Sequence, residues 1–504
     1  MLEIMKTTKK LVALFMCLTL CVGLLPSLAL ADDGISYLAI GDSTAQGYYT
    51  DGFTYGNMGL DTYSSPNSYP FLFHTYLEEK LGCDVKLYQY TLQGMRPNEL
   101  YAILAPEAAK PYMDGFCKRH VKTFENAFKA VYDTDIYTGY MDAVRDADII
   151  TYDCGLNNFG NYLANRFMAM LSGDLGEFKD DSTSMIYDQL DAETAETCNA
   201  LKATLTNLLA ALLKENAELA GSFIDMLIYC YASFVLYYDK TIDIIYNENP
   251  DADLIVFGMC NNLKGLVFSL ETEAGTVCID FGSVFQTIYE VMNSHITGTN
   301  KHATQYKYVD MSGDFERIID EIAYGEMTKA TKDYIIQDIK ALGYTSDEDI
   351  ARGIEVYVKA SQIKTLDLPS VMELLSSSDM SDCARRCIDD YDAASVGDKA
   401  ILNLYMRSTC ANGFGTHPSF KGGIQKYEAL VKAYESNLTA SAYSAKTVID
   451  TGTAAFNTAF QLIKAPLLEK LADIFGGVKD LFVSFLDGLR QNIEDFFFSF
   501  LNFA

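Results

Sequence analysis

Five short apolar runs punctuate the chain: Tyr37–Ile40, Val85–Tyr90, Ile149–Tyr152, Leu254–Phe257 and Tyr306–Val309. Each is nearly continuous, with little of the polar alternation of a half-solvated strand, so each predicts a strand buried on both faces. Between them lie longer stretches with apolar residues three and four apart. Thr194–Glu218, with Leu201, Leu205, Leu208, Leu209, Leu212 and Leu213 in step, reads as an amphipathic helix, and so do Ser222–Ile245, Asp314–Leu342, Ser346–Thr365 and Leu368–Tyr391. Buried strands separated by helical connections define an α/β three-layer domain built on a parallel sheet. In such sheets ligands and chemistry collect at the carboxyl ends of the strands. The helical blocks at about 159–250 and 311–405 both leave from that end, and are expected to form a cap there.

The two ends of the chain follow other patterns. Lys6, Lys9 and Lys10 precede the apolar run Leu11–Leu25, then come Pro26 and Ala29-Leu30-Ala31. That run is short for a membrane span, and the small residues before Asp32 suit cleavage, so residues 1–31 are expected to be a secretory signal peptide. The region 32–439 forms the main domain. From Ala440 to Ala504 a separate tail carries Leu467, Leu471, Ile474, Val478, Leu481, Phe485, Leu489, Ile493, Phe496 and Phe500 at helical spacing, with Gly476-Gly477 as a break point. Charges interrupt it every few residues and acids outnumber bases, which excludes a membrane span and a basic surface helix. The tail is expected to dock on the rest of the chain, with contact to a partner or a membrane as the alternative.

Charge and cysteine usage narrow the class. The formal net charge is −29, and losing Glu3 with three lysines in the signal makes it −31. So acidic a chain has no electrostatic affinity for nucleic acid. With 49% hydrophobic residues it has the material for a large core. Ten of the twelve cysteines lie beyond the signal, scattered, with no CxxC pair and no Cys/His cluster at zinc spacing; the five histidines (74, 120, 295, 302 and 417) are equally dispersed. Some disulfides are expected in an oxidising compartment, and neither a metal nor another cofactor is implied.

Four turns then stand out. The first strand runs into Gly41-Asp42-Ser43, which puts a serine where a buried strand gives way to a turn and helix, among the small residues Thr44, Ala45 and Gly47. After the second run, Gly94 offers an unobstructed backbone N–H. After the third, Asp153-Cys154-Gly155-Leu156-Asn157-Asn158 offers the Asn157 amide. Such donors serve acyl transfer, where negative charge builds on a carbonyl oxygen in the tetrahedral intermediate. Far downstream, His417-Pro418 precedes Gly422-Gly423 and a helical pattern through Leu430, a setting suited to a general base. Each turn alone also reads as an ordinary loop or helix cap.

Together, the identity and order of these turns resemble the four blocks of the SGNH (GDSL) esterase and lipase family: Gly41-Asp42-Ser43 with Gly47, Gly94, Gly155-Leu156-Asn157, and His417-Pro418 with Gly422. The resemblance implies a flavodoxin-like three-layer sandwich with a five-stranded parallel sheet of order 2-1-3-4-5. It implies Ser43 as nucleophile, His417 as base, and an oxyanion hole from the Ser43 and Gly94 backbone N–H groups with the Asn157 side chain. The activity it implies is hydrolysis of carboxylic esters outside the cell, of an acyl lipid or an acetylated glycan, through a Ser43 acyl-enzyme. Two departures stand against the pattern. Asn158 replaces the usual aspartate of the third block, and Phe414 stands where the triad's acid normally lies, three residues before the histidine. Asn412, a backbone carbonyl or Asp310 would then orient His417, or a Ser-His dyad suffices. The alternative is a secreted non-catalytic binding protein on a hydrolase scaffold.

Overall fold

A computed structural model describes residues 34–47, 65–91, 94–109, 136–159, 186–215, 217–261, 267–272, 275–311, 321–322, 325–363, 365–367, 380–407, 420–447 and 450. The signal segment, the stretch bearing Asn412, Phe414 and His417, and the tail beyond Asp450 lie outside the described residues.

Among the described residues eight strands are formed: β1 (Ile35–Gly41), β2 (Val85–Thr91), β3 (Ile149–Asp153), β4 (Asp253–Phe257), β5 (Val267–Thr272), β6 (Gly275–Asp280), β7 (Lys307–Val309) and β8 (Thr365–Asp367). The five apolar runs become β1, β2, β3, β4 and β7. They pair in parallel in the order β2-β1-β3-β4-β7, which is the expected 2-1-3-4-5. Register aligns the carboxyl ends of the first three: Gly41 faces Thr91 on one side and Asp153 on the other.

The helices are α1 (Ser43–Gln46), α2 (Tyr69–Leu81), α3 (Pro97–Leu104), α4 (Ile136–Asp146), α5 (Ala192–Leu208), α6 (Ala210–Glu215), α7 (Ala217–Glu248), α8 (Phe281–Ser294), α9 (Lys329–Ala341), α10 (Asp347–Ser361), α11 (Met380–Asp389), α12 (Val396–Arg407) and α13 (Phe420–Ser436). Local chemistry sets many of their starts. Ser68, Asp191, Thr328 and Ser346 each accept a backbone N–H from the first turn of α2, α5, α9 and α10. Gly82 ends α2 in the left-handed conformation, at φ 67°.

Alternation along the strands divides the core in two. Leu38, Ile40, Ile150, Tyr152, Leu254 and Val256 face a large cluster with α3, α4, α5, α7 and α8. Tyr37, Ala39, Ile149, Ile255, Phe257 and Val309 face a smaller one completed by Phe73 and Leu77 of α2 and Leu430 and Ala433 of α13.

Two expectations need correction, and one element is additional. The stretch Thr194–Glu218 is broken at Leu209 into α5 and α6, and α7 begins at Ala217. The 159–250 block was expected above Ser43, but its longest helix, α7, is the crossover that covers one face of the sheet: Tyr152 of β3 bonds Thr241 through their hydroxyls at 3.0 Å, and its ring meets Tyr238 edge-on at 5.4 Å. Finally, β6, β5 and β8 form a second sheet in that order, which no apolar run announces. β6 is mostly solvent-facing and β8 has only three residues, so no buried apolar run marks them.

The apolar length of α7 is enough to cross a membrane, yet 78% of its most apolar window is buried inside the protein. Its character follows from that burial: residues along its whole length, from Leu219 to Ile245, belong to the large core cluster. Cys383 and Cys387 are both fully buried thiols, while Cys260 is disulfide-bonded. Phe234→Ala, which empties a fully buried site at the centre of α7, should lower the unfolding free energy by about 3–5 kcal/mol in urea titrations. A cost below about 1 kcal/mol would show that α7 does not support the core.

Candidate active site

The site begins with a reversal of the chain at the end of β1. Asp42 has extended backbone and caps α1, its Oδ1 accepting the Thr44 N–H at 2.8 Å. After one turn, Gly47 at φ 71° closes the helix, its N–H returning to the Ser43 and Thr44 carbonyls. A Cβ on Gly41 would come within 2.5 Å of the Ala45 Cβ, so this turn folds back on its own strand too closely for any other residue. Ser43 is thereby held as the first residue of α1, 6% exposed, and among the described residues its hydroxyl has no hydrogen-bond partner.

Because β1 lies between β2 and β3, the residues that follow all three strands meet around this turn. Gly94 follows β2 with φ 75°, a conformation that favours glycine. Asn157 sits on a single 3₁₀ turn, Leu156–Asn158, just after β3. Its Nδ2 donates to Asp42 Oδ2 at 2.6 Å and to the Met95 carbonyl at 3.3 Å. One amide thus touches the residue before Ser43 and the residue after Gly94. Gly155, at φ 155°, leaves room for this turn: a Cβ there would lie 2.7 Å from Met259 Cε and 2.9 Å from Phe234 of α7.

The neighbouring Asn158 is tied into the core by its own amide. Asn158 Nδ2 donates to Asn98 Oδ1 at 3.2 Å, and Asn98 Nδ2 donates to Ser233 at 2.7 Å. An ionised aspartate at 158 has no proton to give Asn98. Asp310, considered above as a partner for His417, follows β7 and accepts a hydrogen bond from Tyr443. It lines a cavity of about 420 Å³ with Tyr308, Tyr334 and Lys432.

Sequence reasoning missed the group beneath Ser43. Asp153, the last residue of β3, accepts at one oxygen from Tyr69 at 2.9 Å, from the Thr44 hydroxyl at 3.3 Å and from Lys426 Nζ at 2.6 Å. All four side chains are buried. A signal was present: Lys426 precedes Leu430 by four and Ala433 by seven, so it occupies the apolar stripe of α13, where an unpaired charge is very costly. Two buried carboxylates share this space. Burial first, then the charge of Asp153, pushes Asp42 up to about 6, against the opposing charge of Lys426 and the hydrogen bonds from Thr44. Tyr69 is pushed well above the usual phenol value by burial and by Asp153.

No family profile matches the chain, and no curated protein sequence does. Among solved structures it is similar to a lipase from a goat rumen metagenome, at 13% identity and a TM-score of 0.28, over 56% of this chain and 85% of that one. An extracellular lipase from Streptomyces rimosus follows, at 14% identity and TM-score 0.28, over 55% and 82%. Phospholipase A1 from Streptomyces albidoflavus gives 14% and 0.27, over 60% and 85%. Similarity this low leaves the chemistry to the chain's own residues.

The raised Asp42 makes a signed prediction. Between its ordinary value of 3.8 and about 6, the folded protein keeps a proton that the unfolded chain has released. Stability from this group is therefore present below pH 4 and is lost as pH rises toward 6, by on the order of 3 kcal/mol at 1.36 kcal/mol per pH unit. Asp146, Asp191 and Asp398 are shifted down and act in the opposite sense, so the difference from Asp42→Asn isolates Asp42. The melting temperature of the unmodified protein should drop relative to that variant between pH 4 and 6. Parallel curves would mean that Asp42 titrates normally.

Proposed function

We propose that the chain is a secreted serine hydrolase of carboxylic esters, with Ser43 as nucleophile and His417 as general base. One observation carries the reading: the Asn157 amide lies between Asp42 and Met95, so the turns after β1, β2 and β3 converge on Ser43. In the proposed cycle Ser43 Oγ attacks the ester carbonyl while His417 takes its proton. The histidine then passes that proton to the departing alcohol, and a water activated by the same imidazole releases the acid. The Ser43 and Gly94 backbone N–H groups and the Asn157 side chain face the oxyanion. In this reading Asn157 turns toward the oxyanion the N–H that makes the longer, 3.3 Å bond to Met95, while the 2.6 Å bond to Asp42 holds the amide in place.

Support for an extracellular setting comes from the signal pattern of residues 1–31 and from the disulfide at Cys260. The non-catalytic alternative draws on Phe414 in the acid's usual place. A fluorophosphonate probe separates the two: stoichiometric labelling that disappears in Ser43→Ala supports catalysis, and well-folded protein that is never labelled sinks it. Activity across nitrophenyl esters of increasing chain length then distinguishes acetylated glycans from acyl lipids as the substrate class.

Two variants test the assigned roles. His417→Ala should reduce turnover by about 10²–10⁴-fold with the melting temperature little changed; near-normal turnover would remove His417 from the mechanism. Asn157→Ala should act on kcat rather than KM, by about 10²–10³-fold, since its oxyanion partner exists chiefly in the transition state. An effect confined to KM would make Asn157 a contact for ground-state substrate.

A further inference from the structure

On α13, where the adjacent Gln425 is buried but uncharged, the buried charged side chain is Lys426, 1% exposed, on the stripe that Leu430 and Ala433 continue into the core beneath the sheet. Its ammonium meets Asp153 Oδ2 at 2.6 Å and Thr44 Oγ1 at 3.0 Å, and its remaining surroundings include the rings of Tyr69 and Phe257, with centroids at 5.2 and 5.3 Å. A packing helix has no use for a buried ammonium, because an apolar side chain of similar volume commonly stabilises a core at least as well. What Lys426 does instead is reach the residue next to Ser43. Thr44 is fully committed as a result: its N–H goes to Asp42, its hydroxyl proton to Asp153, and its hydroxyl oxygen accepts from Lys426. Asp42 in turn holds Asn157. A continuous chain of polar contacts therefore runs from α13 through the nucleophile's turn to the assigned oxyanion donor.

We propose that Lys426 is a positioning residue for ester hydrolysis, fixing the turn that bears Ser43 through Thr44 and Asp153 and, through Asp42, the amide of Asn157. The inference rests on the esterase reading. Its electrostatic side follows from what faces Asp42: Asp153 and Cys154 from the end of β3, Tyr69 from α2, Thr44 from α1, Asn157 from the 3₁₀ turn and Lys426 from α13. Asp153 favours protonation of Asp42 and Lys426 opposes it. The carboxylate form accepts from both Thr44 and Asn157, whereas a protonated oxygen facing Asn157 no longer holds its amide. Loss of Lys426 must therefore move the inactive, protonated form into a higher pH range.

The rate of fluorophosphonate labelling of Ser43, measured against pH, carries Asp42 on its acid limb together with the general base His417, so the shift is read as the difference between each variant and the unmodified protein. Lys426→Met should shift the acid limb upward by about half a pH unit or more, a loss of about threefold in rate on that limb. Asp153→Asn, nearly isosteric, should shift it downward. Lower melting temperatures with unmoved limbs in both single variants would overturn the proposal and leave Lys426 a packing residue. If Lys426→Met does not fold, the sign of the Asp153→Asn shift decides alone. Unmodified, folded protein that takes no label defeats the esterase reading, and the positioning role falls with it; labelled protein with static limbs defeats the positioning role only.

Discussion

Two carboxylates and one ammonium share the space beneath the candidate nucleophile, and much of the local structure is arranged to make that arrangement tolerable. Asp42 and Asp153 end or follow adjacent parallel strands, so the register that pairs Gly41 with Asp153 forces their charges together. Neither reaches bulk water. Desolvating two like charges is prohibitive unless each oxygen finds donors. The donors come from α1, α2, α13 and the turn after β3, and each of those elements is tied to the sheet end by supplying one.

That arrangement divides the labour between the two helical layers. The layer with α2 and α13 supplies the phenol and the ammonium that neutralise Asp153. The opposite layer, dominated by α7, sets the turn after β3, because Phe234 and Met259 fill the volume a side chain on Gly155 would need. Position and charge at the site are thus controlled from opposite faces of one sheet.

The strands of the main sheet were legible because both faces are covered: a strand buried on two sides shows as an unbroken apolar run whatever its neighbours. Their order came from the family resemblance, and the turns at Ser43, Gly94 and Asn157 from small or amide-bearing residues just after such runs. The second sheet was not legible, since β6 is largely solvent-facing and β8 is three residues long. Lys426 left a trace that a binary pattern treats as an error, a charge on an apolar stripe, and only its partner 273 positions away gives the trace meaning. The role of α7 was misjudged for a similar reason: apolar spacing announces a helix but carries no information on which surface it covers.

The absence of a side chain at Gly155 has a consequence for mutational tolerance. The methionine and phenylalanine that occupy its volume belong to the loop after β4 and to α7, so residues with no place in the proposed chemistry determine where the Asn157 turn sits. On the proposed reading, a change at Phe234 in the middle of α7 bears on the turn that carries Asn157 as well as on the packed interior, so one position answers to two demands at once.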